Sequence, residues 1–151
     1  MRVSLSLRGD YAVRAMLALA EHERAQDPGA GRTELLSAAA IAEHMRIPPR
    51  FVAHVLGDLG RAGLVAGSTG RRGGYRLARS ATAIDLLAIV DAAERSIEPA
   101  RCVLRGIPCD PVGRCAAHDA FSAATAAVRR ELAHTSLASL ASPARERGRQ
   151  A

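Results

Sequence analysis

The chain has 151 residues and a formal net charge of +6, and every one of its 21 basic residues is an arginine. That length fits one domain, or a small domain with an appendage; with aromatics at 3% and no tryptophan, the core is expected to be aliphatic and largely helical. The missing lysine excludes P-loop and Schiff-base chemistry. No apolar run approaches the roughly 18 residues of a membrane span, and Met1–Leu7 is too short and interrupted for a signal peptide, so a cytoplasmic protein is expected.

A first helix is predicted over residues 8–25, where Ala12, Val13, Ala15, Met16, Leu17, Leu19 and Ala20 form a broad apolar surface. Asp10 stands in its first turn, where the helix dipole favours a carboxylate. Residues 26–31 (Gln-Asp-Pro-Gly-Ala-Gly) read as a loop. Ser37 is a suitable N-cap for a second helix carrying Ile41, Ala42 and Met45 inward. A tight turn at Arg46-Ile47 leads to a third helix opened by Pro49, whose missing N–H costs nothing there. Val52, Val55, Leu56 and Leu59 recur as one buried stripe, and the opposite face carries Arg50, His54 and Arg61. Gly57 and Gly60 weaken this helix by about 1 kcal/mol each relative to alanine, so packing must hold it, and Gly63 is a natural stop.

Two short helices joined by a tight turn, the second exposing arginine, match a helix-turn-helix whose second helix enters the major groove. Leu64–Gly67 and Tyr75–Ala78 read as two strands of a hairpin with a glycine-rich basic tip. Placed directly after the recognition helix, this hairpin is expected to be a wing, with Arg71 and Arg72 reaching phosphates or a minor groove. Between His44 and Arg79 lie seven arginines (Arg46, Arg50, Arg61, Arg71, Arg72, Arg76 and Arg79) against one acid, Asp58. That segment therefore carries the whole net charge, and arginine suits phosphate and guanine recognition. The bland alternative is a solvated basic face. A nucleotide-phosphate cradle would need G-x-x-x-x-G-K-[ST] in a strand-to-helix setting, which is absent.

A short helix is predicted over 83–94, and a longer amphipathic one from Ala117 to His134, with Ala120, Ala123, Ala124 and Ala127 permitting close helix approach. The longer helix is read as a dimer interface. Thr135 is expected to cap a last turn holding Leu137 and Leu140, and residues 142–151 have nothing to bury.

Between these helices lie all three cysteines, spaced C-x6-C-x5-C at Cys102, Cys109 and Cys115, with His118 three residues on. Thiolates suit zinc or an iron–sulfur cluster, and the surrounding glycines and prolines mark a loop rather than a packed core. A regulator with structural zinc on Cys102, Cys109, Cys115 and His118 remains open, as does an electron-transfer or redox-enzyme subunit, although the latter has no use for an arginine-lined wing.

The chain from Met1 to about Ala141 resembles the IscR/NsrR family of iron–sulfur winged-helix transcription regulators. The resemblance rests on Gly-Asp-Tyr-Ala-Val-Arg-Ala-Met (9–16), Ile-Ala-Glu-His (41–44) and Leu-Gly-Arg-Ala-Gly-Leu-Val (59–65). It continues through Gly-Arg-Arg-Gly-Gly-Tyr-Arg-Leu-Ala (70–78) and the cysteine loop closing on Cys-Ala-Ala-His (115–118). It agrees with a mostly α fold with a β-hairpin wing: a winged helix-turn-helix over 1–80 and a cluster loop and dimerisation helix over 81–141, with the tail over 142–151, beyond the resemblance, expected to be disordered from its composition. It implies a non-enzymatic repressor, a homodimer on a palindromic double-stranded operator; the contacts expected from the helix and wing residues themselves are Arg50, His54, Arg61, Arg71, Arg72 and Arg76.

By the same resemblance Cys102, Cys109 and Cys115 bind the cluster. Asp10 falls where the nitric-oxide-sensing branch places a fourth ligand to a 4Fe–4S cluster, reaching across from the partner subunit. His118 falls where the cluster-biogenesis branch places a histidine on a 2Fe–2S cluster. Because the biogenesis branch typically lacks an acid where Asp10 sits, Asp10, 4Fe–4S and nitric oxide are the favoured expectation. The alternative is a 2Fe–2S sensor of cluster supply or redox state.

Overall fold

The computed structural model describes residues 4–26, 34–94 and 115–142. Cys102 and Cys109, most of the loop read at 26–31 and all of the expected tail beyond Ser142 lie outside them.

Among the described residues the architecture is mostly helical with one two-stranded antiparallel hairpin. Helix α1 (Leu7–Ala25) starts one residue before the reading, because Ser6 Oγ accepts from Gly9 N at 3.1 Å and caps the first turn. Helix α2 (Ala38–Met45) begins as expected, with Ser37 Oγ accepting from Ala40 N at 3.1 Å. It ends at Arg46, whose φ of 53° and ψ of 43° put it in the left-handed region, unusual for a residue with a Cβ. The turn is held because Ile47 is 2% exposed and its N–H donates to Ala42 O at 2.9 Å. Pro49 opens helix α3 (Pro49–Arg61), and Val52, Val55, Leu56 and Leu59 are all buried.

Strands β1 (Val65–Ser68) and β2 (Gly74–Leu77) pair with Val65 opposite Leu77. Each strand's register differs from the reading by one residue. Leu64 lies in the turn that closes α3, donating to Leu59 O at 3.0 Å, and Gly74 is drawn into the sheet by the neighbouring bridge between Leu36 and Tyr75. Two glycines in the wing are dictated by close approach. A Cβ on Gly73 would lie 2.4 Å from Ser68 O, and one on Gly74 would lie 2.8 Å from Leu36 O.

The helix read at 83–94 is divided. A 3-10 turn occupies Ala81–Ala83, Ile84 is extended, and helix α4 spans Leu86–Glu94. The division has two causes. Asp85 Oδ1 caps the new helix by accepting from Ala88 N at 2.8 Å, and Ile84 O accepts from Leu137 N at 2.8 Å, a partner far along the chain. Helix α5 (His118–His134) is followed by helix α6 (Leu137–Ala141). The cap of α6 is Ser136, whose Oγ accepts from Ser139 N at 3.2 Å, rather than Thr135.

One aliphatic core unites these elements. Helix α1 lies at its centre, packed against α2, α3, α4, α6 and β2. Met16, Ile41, Leu59, Ile89 and Leu137 are all fully buried in it. Residues from both sides of position 80 contribute. Helix α5 differs from the others: it touches α4, anchored by Arg129 on Asp91 at 2.8 and 3.0 Å, yet has no buried residue. The Asp91 carboxylate, by hydrogen bond and then by charge, raises the Arg129 pKa further above its ordinary value.

Candidate nucleic-acid interface and metal centre

Burying Val52, Val55, Leu56 and Leu59 turns the other face of α3 outward, and Arg50 and His54 lie exposed on it one turn apart. The Arg50 guanidinium is 4.9 Å from the Phe51 ring centroid, a cation–π contact that steadies it. Arg61 is exposed as well, but the structure adds a partner that sequence reading missed. Its Nη2 donates to Asp58 Oδ1, while Arg8 Nη2, from the first turn of α1, donates to Asp58 Oδ2. Asp58 was legible only as the lone acid among the arginines. Arg8 carried no signal, because its partner lies fifty residues away.

At the hairpin tip Arg71 and Arg72 are exposed, and Arg76 is exposed on β2 with Nη1 donating to Leu77 O at 3.3 Å. These side chains, with Arg50 and His54, give two basic edges, one on a helix and one on a hairpin. Replacing Arg71 and Arg72 together by alanine is expected to weaken binding to all DNA sequences alike. The slope of log affinity against log salt should fall by about two, read by fluorescence anisotropy between about 50 and about 200 mM salt.

Asp10 lies in the first turn of α1, and its side chain is 38% exposed. Arg14, one turn on, grips both carboxylate oxygens: Nε donates to Oδ1 at 3.1 Å and Nη2 lies 2.9 Å from Oδ2. Each oxygen keeps further lone pairs, so the carboxylate can still serve as a ligand, although a charge-compensated one. Cys115 is partly exposed just before α5, and its carbonyl accepts from His118 N at 3.0 Å. This turn puts the third cysteine and the histidine at one end of one helix. Among the described residues no three His, Cys, Asp or Glu side chains gather closely enough to hold a metal; two of the three cysteines lie outside them.

Glu94 is a second residue that sequence reading missed. It ends α4, and its Oε1 accepts from Ser6 N at 2.9 Å and would touch a Cβ on Gly9 at 2.8 Å. The end of α4 therefore lies beside the turn that carries Asp10.

Residues 5–143 match the family profile Rrf2, described as an iron-dependent transcriptional regulator. The chain belongs to the Rrf2 family. Rrf2 proteins are regulators, not enzymes, and the relatives are named accordingly. An rrf2-like HTH-type regulator of Rhodobacter capsulatus is 36% identical over 102 residues, covering 66% of this chain and 65% of the relative. The HTH-type regulator IscR of Vibrio campbellii is 33% identical over 116 residues, 77% of this chain and 64% of IscR. Each alignment thus spans a little under two thirds of the relative's own length. Among solved structures, the cysteine regulator CymR of B. subtilis superposes with a TM-score of 0.72 at 25% identity, covering 93% of this chain and 97% of CymR. Membership of Rrf2 agrees with the winged-helix expectation, and no helix among the described residues is long and apolar enough to cross a membrane.

The donor chemistry fits an iron-containing group. Three thiolates with a carboxylate or an imidazole form a soft-dominated set of the kind that holds clusters. The described members of that set, Asp10, Cys115 and His118, all keep some solvent exposure.

Proposed function

We propose that this protein is a homodimeric, iron–sulfur-dependent repressor that binds double-stranded DNA through α3 and the wing and releases it in response to nitric oxide. The observation that carries the reading is the lock between α1 and α3. Arg8, two residues from Asp10, is paired to the buried Asp58 on the helix that presents Arg50 and His54. Any displacement of the first turn of α1 must therefore be felt by α3.

Cys102, Cys109 and Cys115 would hold the cluster, with the partner's Asp10 as fourth ligand. When bound, the cluster supplies iron that nitric oxide and oxidants can attack. The chain's own residues do the rest. Asp10 ties the first turn of α1 to the joint between subunits, and Arg14 stands ready to hold the carboxylate when it is released. Arg8 and Asp58 pass the displacement to α3, whose spacing from its symmetry mate must match the half-sites. A coupling of a few kcal/mol is enough to move an operator from mostly bound to mostly free. Dimerisation is assigned to α5, because seventeen residues without one buried side chain, bearing Phe121 at 39% exposure and a run of alanines, are suited to a second copy of the same helix.

One observation favours a second reading. His118 lies on the same turn as Cys115, so a 2Fe–2S cluster completed by His118 would need no ligand from another element, and the signal would then be cluster supply or redox state.

The Asp10→Ala protein, purified anaerobically, separates the two. The first reading expects an altered absorbance spectrum and a changed nitric oxide dose for DNA release. If spectrum and release both match wild type, the fourth ligand is not Asp10, and His118→Ala becomes the decisive variant.

A further inference from the structure

Among the described residues one charged side chain is buried, Asp58, at 3% exposure. A carboxylate survives such burial only if its oxygens are well paired. Here Oδ2 accepts from Arg8 of α1 and Oδ1 accepts from Arg61 of α3. The arginines themselves are not buried: their side chains are 46% and 62% exposed. Each guanidinium has five N–H donors, and neither makes another hydrogen bond among the described residues. The result is two guanidinium groups bridged from below by one carboxylate, with donors left over and a net charge of +1.

The position of this triad gives it a use. Arg61 lies on the stripe of α3 that carries Arg50 and His54, and Arg8 and His54 line the same groove, about 290 Å³ in volume, with Leu7, Tyr11, Phe51 and Val55. The triad therefore flanks the face assigned to DNA, and it places one of its arginines outside the helix-turn-helix.

We propose that Arg8 and Arg61 together grip one DNA backbone phosphate and that Asp58 is the positioning residue that holds them in register. The inference rests on the DNA-binding reading above and adds to it a contact residue on α1. The chemistry is that of a pre-organised clamp. Two long, exposed arginines would each lose rotamer freedom on meeting a phosphate; tethered to Asp58, they have lost much of it already. Arg61 is thereby assigned to phosphate rather than to base edges, since its guanidinium is held against its own helix.

The charge of Asp58 gives a test by sign. Removing an acid beside DNA ordinarily strengthens binding, whereas removing a positioning acid weakens it. The full-length protein, purified anaerobically, is titrated onto a short mixed-sequence duplex across a range of salt, with wing variants for comparison. Arg8→Ala and Arg61→Ala are each expected to lower affinity for all sequences alike and to reduce the salt slope by about one. The double variant should lose no more slope than either single, because both arginines address the same phosphate. Asp58→Asn should bind more weakly despite its extra positive charge, with a thermal melt confirming that it is folded. If Asp58→Asn does not fold, the two half-exposed arginine variants decide the question.

An unchanged slope in Arg8→Ala overturns the proposal, as does tighter binding by folded Asp58→Asn. Wild-type protein with no affinity for the duplex would overturn the DNA-binding reading itself, and this inference with it.

Discussion

Replacing Cys115 by alanine is expected to yield a colourless protein after anaerobic purification, with iron reduced to trace levels. Its operator affinity should fall by about 5- to 150-fold, the range of coupling energies typical between two sites. The reasoning starts from the ligand. A thiolate contributes both charge and softness, and alanine offers neither. Cys115 is the cysteine among the described residues, and its carbonyl accepts from His118 N as α5 begins. Removing its sulfur therefore takes a ligand away next to the helix assigned to dimerisation. Iron analysis and anisotropy on one sample check both halves of the expectation. Operator binding that survives the loss of iron would detach DNA recognition from the metal.

The second large effect is on stability. Leu137→Ala should cost about 2–5 kcal/mol, because the side chain is 0% exposed and its removal leaves a cavity between α6, α1 and the 3-10 turn. Against a typical total of about 5–15 kcal/mol, this should lower the melting temperature by roughly 4–20 °C, at roughly 2–4 °C per kcal/mol for a chain of this size. Leu137 also donates its N–H to Ile84 O at 2.8 Å, so the same residue fixes both the side chain and the backbone of α6. Leu7→Ala, at a site 60% exposed, should shift stability by no more than about 0.5 kcal/mol. Calorimetry on the two variants tests whether the end of the chain belongs to the core built around α1. Equal melting temperatures would say that it does not.

Local rules carried the helix-turn-helix. Ser37 at a cap, Pro49 at a first turn and the stripe of Val52, Val55, Leu56 and Leu59 are decided by neighbours within a few residues, and each falls where the pattern puts it. The wing was legible for the same reason, from two short strands around a glycine-rich tip. Its register was not, because the bridge between Leu36 and Tyr75 joins segments that no short window contains. The start of α4 failed similarly: apolar spacing suits a helix from residue 83, but the distant Leu137 claims Ile84 O and Asp85 restarts the helix with its own side chain. The clamp around Asp58 was invisible for the strongest version of this reason. Nothing within a turn of Asp58 announces Arg8, and an acid among arginines reads as an exception to the charge pattern rather than as its organiser. Of the candidate metal residues, His118 was legible from its spacing after Cys115 and Asp10 became a ligand candidate only through resemblance, whereas the grip of Arg14 on Asp10 at 2.9 and 3.1 Å is an i,i+4 pair that spacing alone could have suggested.

The central claim is that iron bound at the cysteines governs DNA binding through Asp10 and the α1–α3 lock. Its most direct test is one anaerobic titration: iron, acid-labile sulfide and absorbance are measured on the purified protein together with binding to an operator selected from random duplexes, before and after nitric oxide. The account predicts a brown protein containing iron and sulfide that binds the operator and releases it as nitric oxide bleaches the colour. A colourless, zinc-containing protein whose operator binding ignores nitric oxide would contradict it.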